Sequence, residues 1–185
     1  FYPKKNKRGG AFASYAKDLP SFVLLNFTSK IDDVLTMAHE FGHAYHGYLS
    51  QNQVEQVYDT PLCLAETASV FTETMVGESL LKELKSKQEK LHFMDFRLQE
   101  VFGTIFRQIT YINFEKEVHN IIDQEKNLSS KDLNLIWQTK NKQQYGEIVE
   151  LEKEVSKNSG FLAIPHIFHS PFYCYSYSFG NILSF

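Results

Sequence analysis

A chain of 185 residues, 43% apolar and 22% charged, with 16 Phe and 10 Tyr, can bury a hydrophobic core and falls outside the range of disordered, collagenous or low-complexity sequences. Its 19 basic and 22 acidic residues leave a net charge of -3, with no positive field to hold a phosphate backbone, so no nucleic-acid partner is expected. No apolar run reaches the roughly 18 residues of a membrane span. Cys63 and Cys174 are too few and too far apart for a secreted disulfide framework, and together these features lead us to expect a soluble, cytoplasmic protein.

The chain opens at Phe1 and stops inside an aromatic segment, Pro171 to Phe185, and so reads as a fragment of a longer protein. Two short apolar runs, Ala11 to Tyr15 and Ser21 to Thr28, flank the turn residues Lys17-Asp18-Leu19-Pro20 and predict a β-hairpin. From Ser29 the period becomes helical: Ile31, Val34, Leu35, Ala38, Gly42, Tyr45 and Leu49 predict a helix over about 30–50, with Ser29 and Asp32 as its cap. A polar loop is expected over Gln51 to Thr60. A second helix then starts with Pro61 in its first turn and runs to about Lys87. Phe93 to Asp123 forms a third helical pattern, and Ser129 with Asp132 caps a fourth that extends through Trp137 to Val149, with Gly146 as an interruption. His166 to Phe185 is expected to be a loop leading into a helix.

The first helix contains His39-Glu40-Phe41-Gly42-His43, a match to the HExxH zinc motif. Histidines four apart lie on one helical face about 6 Å apart along the axis, so both imidazoles can hold one ion. Glu40 is turned about 100° from His39, beside the metal but outside its ligand shell, where it can take a proton from water. A hydrolytic zinc needs a third protein ligand and one open position. Candidates are His46, Glu55, Asp59, Glu66, Glu73 and Glu78. His46, only three residues past His43, is expected to pack or support rather than ligate. The metzincin extension is excluded, because it needs Gly and His where this chain has His46 and Leu49. Glu66, set among small residues in Leu64-Ala65-Glu66-Thr67-Ala68-Ser69, is the best candidate. Glu73, two turns further on the same face, is placed to orient a ligand histidine. Cys174 near His169 is discounted as a thiol nucleophile, since no orienting group accompanies it, and Cys63 is read as a packing residue.

The run His39-Glu40-Phe41-Gly42-His43-Ala44-Tyr45-His46, followed by Ala65-Glu66-Thr67-Ala68-Ser69 and Glu73, resembles the thimet oligopeptidase/neurolysin family of zinc peptidases, in its oligoendopeptidase F branch. Lys7 to Phe12, Leu25-Asn26-Phe27 and the ending His166 to Tyr177 are similar to that branch as well, so the likeness spans nearly the whole chain. In the family a glutamate about 25 residues past the second histidine is the third ligand; here the interval from His43 to Glu66 is 23, a small loop-length departure that leaves the assignment intact.

The resemblance implies a mainly α, zincin-like catalytic domain with a short N-terminal β-hairpin, belonging to a larger two-lobed peptidase. Residues 1–185 would be a fragment of that single domain, without the N-terminal lobe and the final helices. It also implies one Zn²⁺ held by His39, His43 and Glu66, short peptides as substrates, and a substrate loop whose His and Tyr donors steady the oxyanion. A phenol or imidazole aimed at developing negative charge is the expected partner of such a metal, and Tyr173, Tyr177 and His166 are favoured for the role, with His169 and Tyr175 as further possibilities. The function expected is a zinc-dependent endopeptidase with Glu40 as general base. The alternatives are a zinc aminopeptidase and a non-catalytic peptide-binding helical module.

Overall fold

A computed structural model describes residues 1–148, 154 and 159–184. Val149 of the fourth helical pattern and Phe185 at the chain end lie outside them. The described residues are mainly helical, with one two-stranded sheet. They fall into two units: residues 1–99 with the end of the chain from Phe179, and residues 100–178.

In the first unit β1 (Phe12–Ser14) pairs antiparallel with β2 (Phe22–Leu24), Ala13 opposite Val23. The turn between them is closed where the Leu19 N–H donates to the Ala16 carbonyl, with Asp18 at φ 62°. The Asn26 side-chain amide donates to the carbonyls of Arg8 and Gly10, which folds the basic, glycine-rich segment back beside β2.

Helix α1 (Ile31–Leu49) starts one residue later than the Ser29/Asp32 cap would place it. Ser29 takes a left-handed φ of 70° and belongs to the turn. Asp33 does the capping instead: its Oδ2 accepts from the N–H groups of Thr28 and Lys30 and from the Thr28 hydroxyl, and these bonds hold its carboxyl below the usual range. Leu35 and Ala38 face the core of this unit, with Leu25, Tyr58, Val70 and Phe93. The expected polar loop contains a short helix, α2 (Glu55–Tyr58), which delivers the buried Tyr58 ring edge-on to Tyr15.

The second helix is also shorter than expected. Pro61 is extended (ψ 142°), Leu62–Leu64 form a 3-10 turn, and α3 runs only from Thr67 to Glu83, with Glu66 at the position before it. α1 and α3 lie side by side, and the order of their contacts, His39 to Glu73 and His43 to Glu66, makes them antiparallel. Gly42 permits the approach, because a Cβ there would sit 2.6 Å from Ser69 Cα and 2.7 Å from the Ala68 carbonyl oxygen.

Helix α4 (Lys87–Phe102) begins six residues before the expected Phe93. The reason is a capping box at Ser86 and Glu89, in which Glu89 Oε2 accepts from the Ser86 N–H and hydroxyl while Ser86 Oγ accepts from the Glu89 N–H. The chain then makes a π-helical turn, Gly103–Arg107, before α5 (Gln108–Asp123). The expected single helix is therefore two, joined by a widened turn whose Thr104 and Ile105 carbonyls accept from the Ser178 hydroxyl.

In the second unit α6 (Ser130–Tyr145) carries the expected Ser129/Asp132 capping box, and Gly146 ends it at φ 61°. Its Trp137 stacks on Tyr111 of α5 and meets Phe114 edge-on, and Phe161 closes this aromatic core. The chain end folds as α7 (Pro165–His169), a turn, and α8 (Tyr175–Ser184), so the expected loop contains a further short helix.

Candidate active site

The centre of the first unit's site is the Glu66 carboxylate, 2% exposed. Its Oε2 lies 3.1 Å from His39 Nε2 and 3.3 Å from His43 Nε2. His39 and His43, one turn apart on α1, face each other edge-on at 4.9 Å. Among the described residues His39, His43 and Glu66 are the group whose ligand atoms all fall within 4.8 Å of one another. Zn–N and Zn–O bonds of about 2.0–2.2 Å in a tetrahedron place neighbouring ligand atoms about 3.3–3.5 Å apart; the His43–Glu66 distance falls at the edge of that range and the His39–Glu66 distance just below it, so the group could hold one ion after a small adjustment. Two imidazoles and a carboxylate are also a donor set suited to a divalent metal.

Several neighbours hold this arrangement. Ser69, fully buried, donates through Oγ both to the Glu66 carbonyl and to Glu66 Oε2. The backbone of α8 packs against the other side of Glu66: a Cβ on Gly180 would lie 2.9 Å from the Glu66 carbonyl oxygen. His39 Nδ1 is 3.3 Å from Glu73 Oε2, and Arg97 of α4 donates to Glu73 Oε1. In the tautomer whose Nδ1 proton goes to Glu73, His39 Nε2 is left free to ligate a metal.

The charges are strongly coupled. Burial disfavours the charged forms of His39 and Glu66, but the hydrogen bonds between them, with Glu73 joining on His39, overcome it. The His39 imidazole is thereby raised and the Glu66 carboxyl held well below its usual range. Glu40 is also buried, and that burial pushes its carboxyl up. The other third-ligand candidates drop out: Glu55, Asp59 and Glu78 are exposed. His46 lies outside the ligand group, its Nδ1 buried without a hydrogen-bond partner and its imidazole lowered from the ordinary value foremost by burial.

In the second unit His166, Tyr173 and Tyr177 form one ring cluster. Tyr173 stacks on His166 at 5.0 Å and 11°, and Tyr177 meets both edge-on, at 5.5 Å from Tyr173 and 6.0 Å from His166. The three favoured donors of the sequence reading thus come together, while His169 is exposed and Tyr175 opens α8. Cys174 between them is fully buried, and burial pushes its thiol up to about 12, which leaves no thiolate for nucleophilic chemistry.

Sequence reasoning overlooks two residues here. Ser69 is read only as a small side chain, although a serine three residues past a buried acid at a helix start is a local hydrogen-bonding signal. Arg97 lies 24 residues beyond Glu73 on another helix, and nothing in the sequence connects the two.

Comparison with known proteins places the chain in a family. The sequence pattern of Peptidase family M3 matches residues 1–182, and the chain belongs to that family, a family of metallopeptidases. The chain is 33% identical over 175 residues to oligoendopeptidase F, chromosomal, of Lactococcus lactis subsp. cremoris, covering 94% of this chain and 29% of that protein. It is 29% identical to oligopeptidase PepF of Bacillus subtilis (strain 168), covering 97% and 26% respectively. Among solved structures, a putative peptidase from Chlamydophila abortus superposes with a TM-score of 0.71 at 36% identity, over 97% of this chain and 30% of that one. PZ peptidase A with inhibitor 2 shares the fold, with a TM-score of 0.80 at 18% identity, over 99% and 32%. The chain thus spans under a third of the length of these relatives.

Proposed function

We propose that these residues are a fragment of the single catalytic domain of a larger, two-lobed zinc-dependent endopeptidase that hydrolyses short peptides in the cytoplasm, one Zn²⁺ being held by His39, His43 and Glu66. The observation that carries this reading is the triangle of His39, His43 and Glu66, with two edges of 3.1 and 3.3 Å, and the buried Glu40 beside it on the same helix. When bound, zinc supplies Lewis acidity, which acidifies a water and polarises a peptide carbonyl. Glu40 accepts the proton of the attacking water and passes it to the leaving amine. Glu73 and Arg97 keep the His39 ring turned with Nε2 inward. Tyr173, Tyr177 and His166 donate to the oxyanion of the tetrahedral intermediate.

The test is metal content and peptide cleavage measured together on the full-length protein. Glu40→Gln is expected to retain one zinc and lose about 10²–10⁴-fold in turnover, and an active Glu40→Gln protein sinks the assignment. Cleavage of free but not N-acetylated peptides would make the enzyme an aminopeptidase. Peptide binding that persists after zinc removal, with no cleavage at any enzyme concentration, would make it a non-catalytic binding module.

A further inference from the structure

The second unit keeps a carboxyl that the proposed mechanism does not use. Glu115, on the face of α5 turned to the chain end, is 2% exposed. Its Oε1 accepts from the Phe172 N–H at 2.8 Å, and its Oε2 is buried with no hydrogen-bond partner. Burial pushes the carboxyl up, further than the Phe172 N–H and the His119 ring draw it down. An apolar side chain of similar volume would pack there without the penalty, so the carboxyl is explained by what it holds. What it holds is unusual: Phe172 has a left-handed φ of 62°, a conformation that a residue with a Cβ adopts only when its surroundings enforce it. One turn further along α5, the His119 ring packs on the Phe172 ring at 4.9 Å. The same helical face thus grips residue 172 twice, by backbone and by ring. The next residue is Tyr173, the ring stacked on His166 and set edge-on to Tyr177.

We infer that Glu115 is a positioning residue: by holding the Phe172 N–H it fixes the turn that sets the Tyr173 ring in the His166–Tyr173–Tyr177 cluster. The link to catalysis rests on the proposed role of that cluster in oxyanion stabilisation, while the positioning itself does not depend on it.

The test compares Glu115→Ala, Glu115→Asp and Glu115→Gln in protein carrying ring-labelled tyrosine. The wild-type Tyr173 ring signals are expected upfield, from the ring current of the stacked His166. Glu115→Ala and Glu115→Asp, the first without an acceptor and the second with one too short to reach, should lose that shift. Glu115→Gln keeps the acceptor and should preserve it. In the full-length enzyme kcat should fall in the Ala and Asp proteins by up to about 100-fold, the size of one lost oxyanion donor, with KM and metal content unchanged and activity restored in Glu115→Gln. Should Glu115→Ala not fold, the Asp and Gln proteins decide the matter alone. Tyr173 signals that stay in place in Glu115→Asp, that move equally in Glu115→Gln, or that are not upfield in the wild type overturn the inference. A lost shift with unchanged kcat would leave the positioning intact and refute the catalytic role given to Tyr173.

Discussion

The two units hold their candidate functional groups by opposite means. In the first, polar groups run from buried to half-buried along a chain of hydrogen bonds: Ser69 to Glu66, Glu66 to the two histidines, His39 to Glu73 and Glu73 to Arg97. In the second, ring packing dominates, from Trp137 with Tyr111, Phe114 and Phe161 to the His166–Tyr173–Tyr177 cluster. The difference is one of tolerance. A buried polar chain is worth its desolvation only while every member is satisfied, so losing one group reaches its neighbours at once. Aromatic packing is less directional, and the second unit needs a dedicated hydrogen bond from Phe172 to Glu115 where one ring must be set in place.

The largest effect is therefore expected at the hub of the polar chain. Glu66→Ala removes the carboxylate that both histidines share, and metal retention after dialysis, followed by elemental mass spectrometry, should fall by more than the about 10–100-fold typical of a supporting residue. Retention of one metal per chain would show that the ligand set is different. Next comes Gly42→Ala, whose Cβ meets the backbone of Ser69 and Ala68 rather than a flexible side-chain tip. Forcing α1 and α3 apart should cost about 1–3 kcal/mol and weaken metal binding in parallel, whereas an unchanged Tm would mean the two helices do not approach this closely. Arg97→Ala touches no ligand. It should lower metal affinity by about tenfold, with Arg97→Lys recovering part of it, in a competition titration against a chromophoric chelator.

The smallest effect belongs to the second unit, at the start of α6. The hydrogen bonds from the Ser129 hydroxyl and N–H hold the Asp132 carboxyl below its usual range. A depressed folded-state pKa stabilises fully above the unfolded value of about 3.9 and loses that stability as pH falls through the folded value. Urea midpoints taken between pH 6 and pH 2 should thus show a small acid-side loss that Asp132→Asn abolishes. Equal slopes in the two proteins would remove the cap from the account of α6.

Where sequence and structure part, local chemistry has more than one solution. Ser129-Ser130-Lys131-Asp132 and Ser86-Lys87-Gln88-Glu89 contain the same kind of capping box, yet the second is hidden in a charged stretch without apolar periodicity, so apolar spacing places the start of α4 six residues too late. The Ser29/Asp32 pairing looks equally good, but the left-handed turn at Ser29 passes the cap to Asp33. Pro61 suits a first helical turn by propensity, yet α3 begins only after Glu66. That delay leaves the Glu66 carbonyl and carboxylate both within reach of the Ser69 hydroxyl.

The sequence by itself determined the hairpin, the presence of the main helices and the pairing of His39 with His43, because each rests on contacts within a few residues, where spacing alone sets which side chains share a face. It also pointed to Glu66, through the small residues around it as well as a family resemblance, and to the terminal Tyr and His residues through that resemblance. Only the tertiary structure decided that Glu66 lies at hydrogen-bonding distance from both histidines, that Arg97 braces Glu73, and that Glu115 holds the turn before Tyr173. Those contacts join residues 23 to 57 positions apart, and such pairs are set by how helices pack rather than by any periodicity along the chain.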